Sequence, residues 1–196
     1  ILTVSLDNKA MLWNLDGTLA QRFKGHSKDI NSVAFSPDGK LVLTSSKDST
    51  AKVWTLAGDV VQTFSGHAGK VKSAEFSPDG NFVLTSSDDN TAKLWSMDGQ
   101  VVQTFKGHAN QVNAAVFSPD GKYVLTGSHD LTARLWTLDG SVVKTFNSPI
   151  GTPKRTTVAF SPNGKQVLVG SKEGSATLWD LNGKALQTFE GHSSGI

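Results

Sequence analysis

The chain has no cysteine, a single tyrosine and no long apolar run. Without cysteine it can form neither a disulfide framework nor a thiolate metal site. No stretch approaches the roughly 18 apolar residues that a membrane-crossing helix needs. We therefore expect a reducing, cytoplasmic setting without a membrane partner, because disulfides belong mainly to oxidising compartments.

A large net charge is also missing. The formal net charge is +2, and basic and acidic residues are interspersed along the chain. This pattern predicts no concentrated basic face that would bind a phosphate backbone, so nucleic acid is not expected as a partner. The 196 residues, 37% of them hydrophobic, are enough to bury a core.

Internal repeats are the main feature of the sequence. Trp13, Trp54, Trp95 and Trp136 recur at a constant interval, and Trp179 follows two positions later than that interval predicts. Gly-His pairs, phenylalanines and Ser-Pro-Asp-Gly turns keep the same spacing. Each unit contains four short β-rich runs, separated by Asp-Gly or Asn-Gly signals that favour antiparallel hairpins. The sequence therefore predicts an all-β fold, a β-propeller of four-stranded antiparallel blades with negligible helix.

Alignment on the tryptophans predicts four complete blades and one partial blade that lacks its inner strand. The boundaries are a partial blade at 1–23, complete blades at 25–64, 66–105, 107–146 and 147–189, and the start of another repeat at 190–196. An open array would expose sheet faces and edges, so we expect a piece of a longer propeller of about seven blades. The rival interpretation is a deliberately cut or swapped chain that closes by association of chains. An isolated piece is expected to self-associate.

His108, Thr126, His129 and Asp130 lie within one unit and supply the residue types of nucleophilic, acid–base or metal chemistry. The same constellation recurs in three units, whereas a hydrolase needs one triad beside one oxyanion hole. Single histidines on successive blades cannot converge on one ion, and no phosphate-loop spacing is present. We therefore expect a role in holding the fold together, without catalysis, metal or cofactor. The Ser-Pro pairs are explained by the turn, with phosphorylation as the lesser alternative.

The recurring pattern of Gly-His, Phe-Ser-Pro-Asp-Gly, Thr-x-Ser-x-Asp and a tryptophan six residues later resembles the WD-repeat family over essentially the whole chain. Only Trp179 is followed by aspartate, at a position that varies in the family. The resemblance implies a buried hydrogen-bonded tetrad in each matching blade, whose four polar groups can satisfy one another. These tetrads are His26, Thr44, Asp48 and Trp54; His67, Thr85, Asp89 and Trp95; and His108, Thr126, Asp130 and Trp136.

The fourth complete unit departs from the pattern. Val169 and Glu173 replace the tetrad hydroxyl and aspartate, and the segment 146–162 gains two residues. We therefore expect Glu173→Ala to cost less stability than Asp89→Ala. The longer loop, with Lys154 and Arg155 near Lys172, would form a small basic patch suited to an acidic or phosphorylated peptide. Degeneration of the loop after loss of the histidine is the alternative.

The resemblance implies a non-catalytic scaffold with protein or peptide partners. One alternative is the sensor region of a large bacterial-type signalling ATPase or kinase, and another is an engineered or recently amplified propeller without an evolved ligand. We expect the binding face at the Gly-His loops and the turns between second and third strands. Its candidate residues are Lys47, Lys70, Lys72, Asp88, His129, Lys154, Arg155 and Lys172, with Asp29, Asn31, Gln111 and Asn113 beside them. These positions differ between copies while the framework repeats, although simple drift of turn tips would give the same pattern.

Overall fold

A computed structural model of the chain describes residues 1–5, 7–147, 156–171 and 174–191. The described residues form nineteen β-strands and contain no helix. The strands are β1 (Leu2–Val4), β2 (Ala10–Trp13), β3 (Leu19–Phe23), β4 (Ile30–Phe35), β5 (Leu41–Ser46), β6 (Thr50–Thr55), β7 (Val60–Ser65), β8 (Val71–Phe76), β9 (Phe82–Ser87), β10 (Ala92–Ser96), β11 (Val101–Phe105), β12 (Val112–Phe117), β13 (Tyr123–Ser128), β14 (Thr132–Thr137), β15 (Val142–Asn147), β16 (Thr156–Phe160), β17 (Gln166–Ser171), β18 (Ala176–Asp180) and β19 (Ala185–Phe189).

Neighbouring strands pair antiparallel in five meandering sheets. Sheet 1 contains β1–β3, sheet 2 β4–β7, sheet 3 β8–β11, sheet 4 β12–β15 and sheet 5 β16–β19. Sheet 1 has three strands and lacks the inner strand that corresponds to β4, whereas the other sheets have four. The prediction of an all-β propeller segment with four complete blades and one partial blade is confirmed.

The Ser-Pro-Asp-Gly segments form the tight turns that connect the first and second strands of sheets 2, 3 and 4. In the first of them, the Ser36 hydroxyl donates to Asp38 Oδ1 at 2.6 Å, and the same oxygen accepts the Lys40 N–H at 3.1 Å. Gly39 has φ +71, a left-handed conformation that glycine adopts without a steric penalty. Ser36 is only 7% exposed. In such a turn the serine hydroxyl is hydrogen-bonded and its residue is buried, which supports the structural explanation of the Ser-Pro pairs.

Aromatic pairs link each sheet to the next. Phe23 at the end of sheet 1 packs against Trp54 of sheet 2, with ring centroids 5.8 Å apart, and both side chains are fully buried. The same pair recurs between later sheets as Phe64–Trp95, Phe105–Trp136 and Phe146–Trp179. Tilted rings at this distance are a favourable aromatic geometry. The core is therefore a series of similar layers between sheets.

Polar contacts near the inner strands add to this packing. Ser32 Oγ of sheet 2 accepts the backbone N–H of Ala74 in sheet 3 at 3.1 Å. Sheet 4 has Gly127 where sheets 2 and 3 have a serine, and a Cβ there would lie 2.7 Å from the Thr156 carbonyl oxygen of sheet 5. Glycine is therefore required at position 127 for β13 and β16 to approach this closely.

The meander sorts the connections onto two opposite faces. The Gly-His face carries the loops between sheets and the turns between second and third strands, and the Asp-Gly face carries the remaining turns. The aspartates in or beside the turns of the Asp-Gly face are Asp16, Asp38, Asp59, Asp79, Asp98, Asp120, Asp139 and Asp180. The lysines in the same turns are Lys40, Lys122, Lys165 and Lys184. Charges that are interspersed along the chain are thus partly separated by face, a feature that the sequence pattern alone did not indicate.

Candidate functional site

Three buried clusters bring the tetrad residues together. His26 Nδ1 lies 2.8 Å from Asp48 Oδ2, and His26 Nε2 lies 2.8 Å from Thr44 Oγ1. The Trp54 indole N–H donates to the same Thr44 oxygen at 2.9 Å. The clusters around His67 and His108 repeat all three contacts, each at 2.7 or 2.8 Å. Local sequence explains this geometry, since the hydroxyl lies on the second strand, the tryptophan on the third and the aspartate in the turn between them.

A threonine two residues after each aspartate completes the cluster, and the sequence analysis missed it. The Thr50 hydroxyl donates to Asp48 Oδ1 at 2.6 Å and lies 3.3 Å from His26 Nδ1. Thr91 and Thr132 occupy the same place in the next two clusters. The signal was present as an Asp-x-Thr motif that recurs at the same interval as the tryptophans. Each aspartate also accepts a backbone N–H from the residue after the histidine.

The environment defines the protonation states. Burial would raise the pKa of Asp48, but hydrogen bonds from Thr50 and His26 outweigh it and lower the pKa below its ordinary value. Burial lowers the pKa of His26 and His108 despite the neighbouring carboxylates. Asp48 is therefore ionised, and the imidazoles of His26 and His108 are neutral, at pH 7. With Nδ1–H donating to aspartate, Nε2 accepts the threonine O–H, and the threonine oxygen accepts the indole N–H.

This arrangement resembles a catalytic triad in its contacts but differs in access. Thr44, Thr85 and Thr126 are all 0% exposed, and each hydroxyl oxygen already accepts a hydrogen bond from tryptophan. A nucleophile must reach a carbonyl carbon beside an oxyanion hole. These hydroxyls have no such access, and the tetrad hydrogen bonds instead join the loop, turn and strands within sheets 2, 3 and 4.

In sheet 5 the equivalent cluster is incomplete. Val169 is 4% exposed at the hydroxyl position, and the buried Trp179 Nε1 has no hydrogen-bond acceptor among the described residues. Glu173, Lys172, Lys154 and Arg155 lie outside the described residues, so the predicted loop patch and the comparison with Glu173→Ala remain predictions.

The comparison with known families identifies the repeat. The family model for the WD domain, G-beta repeat, matches four times in tandem, at residues 17–55, 58–96, 99–137 and 140–180. The chain belongs to the WD-repeat family. Members of this family are generally protein-interaction scaffolds and are typically non-catalytic. No curated protein sequence matches the chain significantly.

Each WD repeat is offset from the sheets by one strand. The repeat at 17–55 begins with β3, the outer strand of sheet 1, and continues through β4, β5 and β6 of sheet 2. Phe23 and Trp54 therefore belong to the same repeat but to different sheets. This offset makes each repeat a covalent link between neighbouring blades.

The Gly-His face contains the remaining candidates, several of which already have partners. Lys47 Nζ lies 2.6 Å from Asp29 Oδ2, and Lys72 Nζ lies 2.9 Å from Asp88 Oδ1. The Asp88 side chain is 14% exposed, and its ion pair with Lys72 holds it against the surface. Lys70 is exposed and lies close by, since its carbonyl accepts the Asp88 N–H at 2.9 Å.

Other residues that flank the inner strands serve the fold. Asn31 Nδ2 donates to the Val71 carbonyl of the next sheet at 2.6 Å. Asn113 holds the equivalent place in sheet 4, but neither polar atom of its buried side-chain amide has a hydrogen-bond partner among the described residues. The Gln111 carbonyl accepts the N–H of His129, a partly buried residue. Exposed lysines that the sequence analysis did not select on this face are Lys24, Lys28 and Lys106.

No group of three or more His, Asp or Glu side chains in the described ranges could hold a metal ion. The same ranges contain no apolar helix of membrane-spanning length.

Proposed function

We propose that the chain is a non-catalytic scaffold that binds a protein or peptide partner on its Gly-His face. The observation that supports this proposal is the contrast between a repeated framework and a variable face. Three tetrads share one geometry, in which every contact lies between 2.7 and 2.9 Å. The residues before the tetrad aspartates are Lys47, Asp88 and His129, which differ in charge and shape. A rigid support with variable loops is the usual arrangement of a binding platform.

The proposed surface combines paired charges with unpaired ones. The pairs Lys47–Asp29 and Lys72–Asp88 are partly buried and hold their side chains in place. Lys28 and Lys70 are exposed and form no ion pair within the described ranges. Exposed, unpaired lysines can contact an acidic partner without first breaking an internal ion pair. They are therefore better probes of binding than Lys47 or Lys72, whose reversal would place two carboxylates together.

Affinity purification from native cells, with chemical cross-linking and mass spectrometry, tests the proposal. A partner recovered by the wild-type chain should cross-link to the Gly-His face and be lost with the double variant Lys28→Glu and Lys70→Glu. The control is Lys165→Glu with Lys184→Glu, the same charge change at two exposed lysines of the Asp-Gly face that form no ion pair in the described ranges. Equal recovery with both double variants would show that the binding face is wrong.

A further inference from the structure

Two grooves lie side by side on the Asp-Gly face, and each combines apolar residues with aspartate and serine in its walls. Groove A opens between sheets 2 and 3 and has a volume of about 190 Å³. Groove B opens between sheets 3 and 4 and has a volume of about 170 Å³. The apolar residues that line groove A are Pro37, Leu41 and Phe76. Those that line groove B are Pro78, Phe82, Phe117, Pro119 and Leu138.

The size of the grooves indicates what each can hold. A cavity of roughly 150 Å³ accommodates a benzene molecule, whereas pockets for drug-sized ligands span about 300–1,000 Å³. Each groove therefore fits one aliphatic or aromatic side chain rather than a whole metabolite. Two such grooves on neighbouring sheets suit a chain with two apolar anchors.

Asp79 lies between the grooves and lines both of them. Its Oδ1 accepts the Ser77 hydroxyl at 2.5 Å and the Asn81 N–H at 3.1 Å, and its Oδ2 accepts Asn81 Nδ2 at 2.9 Å. The hydrogen bond from Ser77 lowers the pKa of Asp79, so the carboxylate is ionised at pH 7. All three of these hydrogen bonds come from neutral donors.

The neighbouring turns differ in this respect. Asp38 has Lys40 Nζ at 3.4 Å, and Asp120 has Lys122 Nζ at 3.5 Å. Asn81 replaces that lysine in the turn of Asp79, and Asp79 forms no ion pair in the described part of the chain. Aspartates also outnumber lysines in the turns of this whole face. The charge at the centre of the two grooves is therefore negative and uncompensated, which favours a cationic partner.

We propose that grooves A and B bind an extended segment of a partner protein in which an arginine or lysine stands between two apolar residues. The cation pairs with the Asp79 carboxylate, and one apolar side chain enters each groove. The two faces are opposite ends of the same sheets, so this second surface is separate from the Gly-His face. The chain can then bind two partners at once.

The test uses fluorescein-labelled peptides that carry Leu-Arg-Leu, with no, one or two glycines on each side of the arginine. Fluorescence anisotropy gives the affinity, and amide chemical shifts of the ¹⁵N-labelled chain locate the peptide. At least one spacing should bind and shift the amides of Gly80 and Gly121, which line the grooves. Affinity should fall as salt is raised, because an exposed ion pair is screened. Replacing both leucines with glycine should weaken binding tenfold or more, in line with loss of two buried apolar side chains.

Asp79→Asn isolates the charge. The chain already has Asn163 in the equivalent turn of sheet 5, where its Oδ1 accepts the Ser161 hydroxyl at 2.7 Å and the Lys165 N–H at 3.0 Å, so the substitution preserves the turn. We expect binding about three- to fivefold weaker, the usual effect of one exposed ion pair. The matched control is Asp16→Asn in sheet 1. Sheet 5 already has an asparagine, Asn182, at the position equivalent to Asp16. This control should bind as the wild type does.

Several results would overturn the proposal. These are the absence of any shift at Gly80 and Gly121, equal affinity of the Asp79→Asn variant, or equal affinity of the glycine-substituted peptides. Sedimentation of the unlabelled chain alone tests whether a second copy of the chain, rather than a partner protein, occupies the grooves. Concentration-dependent association that Asp79→Asn abolishes would assign the grooves to a second copy of the chain instead.

Discussion

The backbone N–H of Phe117 donates to Oε1 of Glu75 at 3.2 Å, across the boundary between sheets 3 and 4. Glu75 is a single departure from the repeat, since the equivalent residues are Ala34, Val116 and Ala159. Burial raises the pKa of this carboxyl to about 7, and the hydrogen bond from Phe117 offsets only part of the shift. A titratable group thus lies inside a contact between blades.

The first prediction concerns the pH dependence of stability. The folded-state pKa of Glu75 lies above its ordinary value of 4.5, so the folded chain binds the proton more tightly than the unfolded chain. Proton binding by Glu75 therefore stabilises the folded chain. This stabilisation is fully present below pH 4.5 and is lost as pH rises towards about 7. Glu75→Gln removes the titration and keeps an oxygen that accepts the Phe117 N–H. We expect Glu75→Gln to be more stable than wild type at pH 8 by on the order of 2–3 kcal/mol, with little difference at pH 4.5.

Urea denaturation at a series of pH values measures this difference. Subtracting the two curves cancels the other titrating groups, including His26 and His108. Glu75→Ala supplies the side chain found in two of the equivalent positions and should flatten the pH dependence in the same way. Parallel curves for wild type and Glu75→Gln would show that Glu75 does not titrate in this range.

The second prediction concerns the tetrads. Asp89→Ala removes the acceptor for His67 Nδ1, the Ala68 N–H and the Thr91 hydroxyl. Each buried polar group left unsatisfied costs roughly 1–3 kcal/mol, so the free energy of unfolding should fall by at least this amount. The midpoint of urea unfolding measures the loss.

The neighbouring residue provides a control for Asp89→Ala. Asp88→Ala removes a carboxylate from the same turn, but its ion-pair partner Lys72 is 22% exposed, whereas His67, the partner of Asp89, is 1% exposed. The Lys72 ammonium can therefore be hydrated when Asp88 is removed, so Asp88→Ala should cost less than Asp89→Ala. Equal losses for the two variants would contradict the structural role of the tetrad.

A feature of the fold or of the candidate site could be predicted from the sequence when it repeats along the chain. Strands, turns and tetrads were predictable because each recurs at one constant interval, and independent copies support one another. Glu75 was not, because a single glutamate on a strand gives no indication of the neighbouring sheet that buries it. The charge of the Asp-Gly face was hidden for a different reason. Successive turns lie at opposite ends of a sheet, so charges that are interspersed along the chain collect on separate faces only after folding.

The third prediction restores a missing hydroxyl. Val169 of sheet 5 stands where Thr44, Thr85 and Thr126 stand in the other sheets, and Trp179 Nε1 lacks an acceptor among the described residues. Threonine has nearly the shape of valine, so Val169→Thr should place an oxygen within reach of the indole N–H. We expect a gain of up to about 1 kcal/mol in the free energy of unfolding, the usual net value of one hydrogen bond.

The reverse change calibrates this result. Thr85→Val in sheet 3 removes the acceptor of Trp95 Nε1 and the donor to His67 Nε2, and should cost several times what Val169→Thr gains. Tryptophan fluorescence and indole N–H exchange report on the local environment in both variants. Slower exchange of the Trp179 indole N–H in Val169→Thr is expected, and unchanged exchange would contradict the proposed hydrogen bond.

The last prediction concerns Leu131, which has φ +70 in the turn between β13 and β14. Asn8, Ser49 and Asn90 adopt the same left-handed conformation in the equivalent turns. This conformation costs a residue with a Cβ roughly 1–2 kcal/mol, less for asparagine, whose short polar side chain can hydrogen-bond locally. Leu131→Asn should therefore raise the free energy of unfolding by about 0.5–1 kcal/mol, measured by urea denaturation. Leu131→Ala keeps a Cβ without the polar group and should gain much less, whereas Asn90→Leu should lose about as much as Leu131→Asn gains. If alanine stabilises as well as asparagine does, the benefit comes from removing a partly exposed leucine rather than from relief of backbone strain.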